Sequence, residues 1–194
     1  MGNLLTDSVV QQKITELKSV TQMDVVGIEY NTSSNTYTYD TLLSKCEAGL
    51  TNGATSKTLF IGESMGGYLA AQLAAKYGAY AHLTCPVVNV YKDVYVKVMH
   101  SSPSWSFAGG TVSMNEAQAK LFDTKQHNPL KLPATHIAVT VATNDTLLGY
   151  TDAVNYYQGH CSTLYVSDII GHCSIANVNA WKSCQQIMFT ALAS

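Results

Sequence analysis

Apolar residues in this chain recur at two spacings, the three-to-four-residue spacing of amphipathic helices and the short continuous runs of buried strands. Residues 6–20 read as a helix, with Thr6 as its cap and Val10, Ile14 and Leu17 on one face. Val25-Val26-Gly27-Ile28, with Tyr30, reads as a buried strand, and the polar stretch 31–38 as a loop. Leu42, Leu43, Cys46 and Leu50 give a second helical face. Residues 57–61 predict a strand that runs through Gly62-Glu63-Ser64-Met65-Gly66-Gly67 into a helix carrying Leu69, Leu73 and Ala74 and stopped by Gly78. Residues 82–88 predict a third strand. Residues 89–129 read as irregular apart from a helix at about 114–122, with Ser101-Ser102-Pro103-Ser104 and Gly109-Gly110 as loop punctuation. A fourth strand over 136–142, a helix over 152–157 and a fifth strand over 163–166 follow, and Val178, Trp181, Cys184, Ile187 and Met188 mark a closing helix.

Helices alternating with strands predict an α/β fold with a mostly parallel sheet of about five strands. The 194 residues show no solenoid repeat and no long linker, so 1–194 reads as one domain. Within it, 89–129 is either a lid or cap over a pocket or a plain surface insertion. With 46% hydrophobic and 12% charged residues, the chain is not disordered. A net charge of -2 without a Lys/Arg cluster sets nucleic-acid binding aside. No apolar run approaches the ~18 residues of a membrane span. No basic region followed by an apolar one opens the chain, so no signal peptide is expected. Five scattered cysteines, Cys46, Cys85, Cys161, Cys173 and Cys184, fit reduced thiols in a cytoplasm better than a disulfide framework.

Gly62-Glu63-Ser64-Met65-Gly66 matches G-x-S-x-G, and an apolar strand before it with a small-residue helix after it is the context of a nucleophile elbow. A sharp strand-to-helix turn leaves no room for side chains two positions either side of the serine, which explains Gly62 and Gly66. Ser64 would project its Oγ above the sheet at a helix N-terminus, where developing negative charge is favoured. The rival reading, a phosphate loop, lacks both G-x-G-x-x-G and G-K-[ST]. Partners are expected in the order Ser, Asp/Glu, His. Asp145 follows the fourth strand and His172 the fifth, on the sheet edge that carries Ser64, the edge where open α/β sheets bind ligands. His172 would take the serine proton and return it to the leaving group, and Asp145 would orient the imidazole. Asp168, four residues before His172, is the rival acid, but Asp145 occupies the expected strand end.

His82 and His136 open strands at the opposite edge, and His100 and His127 lie in the excursion. Gly159-His160-Cys161-Ser162 and Gly171-His172-Cys173-Ser174 repeat the same four letters, yet the strand between them separates the two pairs by roughly 20 Å. No metal site is expected.

With these residues in view, the sequence resembles the YqiA-like family of small bacterial esterases within the α/β-hydrolase superfamily. The likeness lies in Ile61-Gly62-Glu63-Ser64-Met65-Gly66-Gly67-Tyr68-Leu69-Ala70, in Thr143-Asn144-Asp145 through Asp152-Ala153-Val154-Asn155-Tyr156-Tyr157, and in Gly171-His172. It covers most of the chain apart from the central excursion. The resemblance implies a three-layer α/β-hydrolase-like sandwich and ester or thioester cleavage by Ser64, Asp145 and His172. The family begins with an apolar strand ending in His-Gly, whose following residue supplies an oxyanion-hole amide. This chain starts at Met1-Gly2-Asn3, where the family is already past that strand. Losing one donor costs about 10²–10³ in rate. Three explanations are open: a start at an internal methionine, a rearranged sheet that keeps residues 1–5 near the site, or a degenerate hydrolase kept for binding. The intact Ser, Asp and His set favours the first two.

The resulting expectation is a cytoplasmic serine hydrolase without cofactor, acting on a small acyl ester or thioester. The Met65 amide and a second amide near Met1 or Gly2 would hold the oxyanion. Tyr68, Tyr91 and Trp105, with Tyr95 and Phe107, would line an apolar acyl site or serve as a partner surface. The alternatives are a catalytically impaired binding protein and an acyltransferase using the same three residues.

Overall fold

The computed structural model describes residues 8–20, 24–28, 38–50, 53–99, 104–107, 110–168 and 170–172. In chain order the elements are α1 (Ser8–Val20), α2 (Tyr39–Ala48), β1 (Leu59–Glu63), α3 (Met65–Tyr77), β2 (Tyr80–Thr84), a π-helical segment (Val90–Val96), β3 (Ser104–Phe107), β4 (Gly110–Ser113), α4 (Glu116–Lys125), β5 (Ile137–Ala142), α5 (Thr151–Tyr157) and β6 (Thr163–Ser167). Single 3₁₀ turns at Pro129–Lys131 and Ala134–His136 lead into β5.

Four strands form a parallel sheet in the order β1-β2-β5-β6. Every residue of β2 and β5 is buried, as expected of parallel strands covered on both faces. One face carries Phe60, Ala81, Leu83, Ile137, Val139 and Val141 and joins the main core with Leu42 and Cys46 of α2, Leu69 and Leu73 of α3, Phe122 of α4 and Tyr157 of α5. On the other face Leu17 of α1 packs with Leu59 and Ile61, and Lys13 of α1 pairs with Glu63 at 2.8 Å. This is a three-layer sandwich. Local chemistry caps two of these helices. Thr38 and Thr41 form a reciprocal capping box before α2. Gly78 closes α3 in the left-handed conformation at φ 63°.

Several expectations need correction. Val25–Ile28 forms no strand: the described sheet has four strands, and β1 pairs only with β2 among the described residues. Val25 still packs against Leu17, as do Leu59 and Ile61. The run is only half-buried, however, with Val26 47% exposed, and a strand also needs a ladder partner. The third strand stops at Thr84 rather than Val88. Cys85 leaves the ladder at φ 41°, and Pro86 has no N–H to continue it. The excursion is more ordered than expected, holding the π-helical segment and a β3–β4 hairpin besides α4. The closing helix expected beyond Val178 lies outside the described residues.

His82 sits mid-strand in β2, in register with Ile61 and Ala138, rather than at a strand start. Burial pushes its pKa down to about 4. The folded state thus holds a neutral imidazole that the unfolded chain protonates near its ordinary value. The stabilising difference is complete above that ordinary value and is lost as pH falls from about 6.5 towards about 4, a loss of about 3 kcal/mol. Denaturant titrations across this window should show the decline, and His82→Gln should flatten it. An unchanged slope in the variant would place the acid sensitivity elsewhere.

Candidate active site

The turn from β1 to α3 holds Ser64 at φ 52°, ψ -122°, a conformation that non-glycine residues rarely adopt. Backbone bonds hold it there: the Ser64 N–H donates to the Thr84 carbonyl at 3.0 Å, and its carbonyl accepts from Tyr68 at 3.2 Å and Val87 at 3.1 Å. Ser64 occupies the cap position of α3 without a side-chain capping bond, which leaves its Oγ for other use. The glycines answer to close approach. A Cβ at Gly62 would lie 2.1 Å from the Gly66 carbonyl oxygen, and one at Gly67 would lie 3.0 Å from Pro86 Cβ. Strain of this kind costs of order 1–3 kcal/mol and persists only where the surroundings fix it.

The carboxylate comes from the turn after β5, where the Asp145 N–H donates to the Ala142 carbonyl at 3.2 Å. Its Oδ1 accepts the Leu147 and Leu148 N–H groups at 2.9 and 3.0 Å. Its Oδ2 faces His172 Nδ1 at 2.9 Å. The Asp145 side chain is 1% exposed and that of His172 21%. Burial alone would raise the Asp145 pKa. The hydrogen bond from His172, the imidazole's charge and the two loop amides outweigh it and hold the carboxyl below its ordinary value. Asp145 is therefore ionised at neutral pH and accepts only, so His172 Nδ1 carries the proton. In the neutral ring the lone pair then sits on Nε2, 3.0 Å from Ser64 Oγ, placed to accept the hydroxyl proton. Ser64, His172 and Asp145, from the ends of three strands, form one hydrogen-bonded chain. Asp168 is exposed, and the imidazole's Nδ1 faces Asp145 instead.

Met65 is the first residue of the 13-residue α3, so its N–H has no intrahelical acceptor and lies at the positive end of the helix dipole. Met1 and Gly2 lie outside the described residues, and nothing is described of the side chains of Trp105 and Phe107. Tyr68 is 2% exposed and donates its hydroxyl to the Phe122 carbonyl at 3.0 Å, tying α3 to α4 rather than lining open space. Tyr91 stacks on Tyr95, and its hydroxyl donates to Glu116 at 3.0 Å.

The struts around this chain of residues leave no local signature in the sequence. Asp123 of α4 accepts the Val90 and Tyr91 N–H groups at 3.0 and 3.2 Å. Asp93 accepts those of Val88 and Asn89, both at 3.0 Å. Lys97 donates to the Leu148 carbonyl and to Asp152, each at 2.8 Å. It thereby ties the π-helical segment to the loop that begins at Asp145. Among the described residues no three His, Cys, Asp or Glu side chains are grouped to hold a metal ion, and no helix is long and apolar enough to cross a membrane.

Solved structures share the fold. Est1E from Butyrivibrio proteoclasticus matches with a TM-score of 0.66 at 11% identity, over 100% of this chain and 86% of that one. Alpha/beta hydrolase domain-containing protein 10 from mouse matches with a TM-score of 0.61 at 10% identity, covering 98% and 86%. A hydrolase from Agrobacterium vitis S4 gives 0.61 at 13% identity, covering 97% and 81%. At these identities the likeness is one of fold, and the fold is that of the α/β-hydrolases. Within that class, the chain belongs to the uncharacterised protein family UPF0227, the YqiA-like family, whose model matches residues 7–176. No curated protein matches it in sequence.

Proposed function

We propose that this protein is a serine hydrolase that cleaves a small carboxylic ester or thioester. The observation that carries the reading is the hydrogen-bonded chain Ser64–His172–Asp145, at 3.0 and 2.9 Å, with the serine at positive φ on a strand-to-helix turn. In the first half-reaction Ser64 Oγ attacks the acyl carbonyl carbon while His172 Nε2 takes the hydroxyl proton. The tetrahedral oxyanion forms beside the Met65 N–H. Collapse breaks the bond to the alcohol or thiol, which leaves with the proton from Nε2, and Ser64 keeps the acyl group. A water molecule then repeats the sequence: His172 takes its proton, the acid is released, and Ser64 regains its hydrogen. Asp145 holds the imidazole tautomer and stabilises the imidazolium in both halves.

Intact mass after treatment with a fluorophosphonate probe tests the reading. One adduct is expected on the wild-type chain and none on Ser64→Ala. Folded wild-type protein that takes up no probe would sink the proposal and favour a binding role.

A further inference from the structure

The residue before the imidazole, Gly171, sits at φ 56° with open space where a side chain would be. Glycine is the most permissive backbone residue, so this peptide is an inherently loose joint directly beside His172. Both its polar groups are nevertheless engaged. The Gly171 N–H donates to Asn144 Oδ1 at 2.9 Å. The Cys85 thiol approaches the Gly171 carbonyl at 3.7 Å. Ile170 is buried in a small cluster with Cys85 and Ala142, beside the same joint. Asn144 is the immediate neighbour of Asp145 on the tight turn closed by the Asp145 N–H on Ala142. The two side chains thus grip the histidine loop at two points from one short turn, Asp145 on the ring and Asn144 on the backbone.

Building on the serine-hydrolase reading, we infer that Asn144 is a positioning residue for His172. Its amide oxygen sets the Gly171 peptide, and that peptide sets where Nε2 lies relative to Ser64 Oγ. It touches neither substrate nor the reacting atoms. Water is a poor substitute: it can satisfy the Gly171 N–H but cannot fix its distance from Asp145. Only an acceptor carried on the same turn does that. Misplacing a catalytic group by about 1 Å costs about 10²-fold in rate.

Asn144 is exposed, so shortening it leaves the core untouched. Three proteins are compared by their second-order rate of labelling with the fluorophosphonate probe and by steady-state hydrolysis of p-nitrophenyl acetate: wild type, Asn144→Ala and Asn144→Asp. Asn144→Ala should label and turn over about 10 to 100 times more slowly, with kcat reduced, KM unchanged and the melting temperature within a few degrees of wild type. Asn144→Asp restores an acceptor oxygen at the same place and should recover most of the lost rate. A general weakening of the loop would not distinguish the two variants. Asn144→Ala at the wild-type rate, or Ala and Asp variants equally slow, overturns the inference while a labelled wild type leaves the serine reading standing. A wild type that the probe does not label overturns both.

Discussion

Asp145→Asn is expected to lower kcat for a simple acyl ester about 10⁴-fold while the protein stays folded. The size follows from proton placement. Asp145 Oδ1 is committed to the Leu147 and Leu148 N–H groups, so an asparagine keeps its carbonyl oxygen there and turns its NH₂ towards His172. A donor now faces Nδ1, where a carboxylate stood. The neutral imidazole must then present its lone pair at Nδ1 and its proton at Nε2, aimed at Ser64 Oγ. A ring in that tautomer cannot accept the serine proton. The wild-type carboxyl, held below its ordinary pKa, prevents this throughout the neutral range. The matched control is Asp168→Asn. That exposed side chain lies outside the hydrogen-bonded chain, and its loss should leave the rate of ester hydrolysis unchanged. If the two variants exchange behaviours, Asp168 is the orienting acid and the assignment of Asp145 fails.

Ser64, Asp145 and His172 were legible because each depends on short-range pattern. A glycine-flanked serine between strand and helix, and an acid and a histidine just past strand ends, are properties of a few neighbouring letters. The edge they share follows from the parallel order of the sheet. The π-helical segment was illegible for the opposite reason. Val90-Tyr91-Lys92-Asp93-Val94-Tyr95-Val96 is rich in β-branched and aromatic residues, which disfavour helix. Its first turn is held half from outside the local pattern: Asn89 accepts the Lys92 and Asp93 N–H groups, but Asp123 of α4 satisfies those of Val90 and Tyr91. No window of local sequence contains that partner. The misplaced strand at Val25–Ile28 shows the same limit. Its hydrophobicity overstated its burial, since Val26 is 47% exposed, and its pairing depends on what lies beside β1. The grip on Gly171 needed three-dimensional contact for its detection, since Asn144 and Cys85 are distant from it in sequence.

Gly62→Ala should be the most damaging Gly→Ala change among the described glycines. The added Cβ would sit 2.1 Å from the Gly66 carbonyl oxygen, 2.4 Å from its carbonyl carbon and 2.7 Å from the Gly67 nitrogen. All three are backbone atoms in the first turn of α3, so no rotamer change relieves the contact. The turn must open by more than an ångström or the strand must retreat. Opening it weakens the bonds that the Ser64 carbonyl accepts from Tyr68 and Val87, which hold the serine at its strained angle. Overpacking against a rigid neighbour costs about 3 kcal/mol or more. For a domain of this size that is a fall of roughly 10 °C in melting temperature. Residual folded protein should also lose probe labelling, because Ser64 Oγ no longer meets Nε2. Gly67→Ala supplies the scale. Its Cβ would meet Pro86 at 3.0 and 3.1 Å and the Gly62 carbonyl oxygen at 3.3 Å, contacts that shifts of a few tenths of an ångström relieve. It should therefore cost about 1 kcal/mol and keep the serine reactive. Melting curves and probe labelling of the two variants side by side separate the cases. A Gly62→Ala protein as stable and as reactive as Gly67→Ala would mean that the tight approach of β1 to α3 does not set the geometry of Ser64.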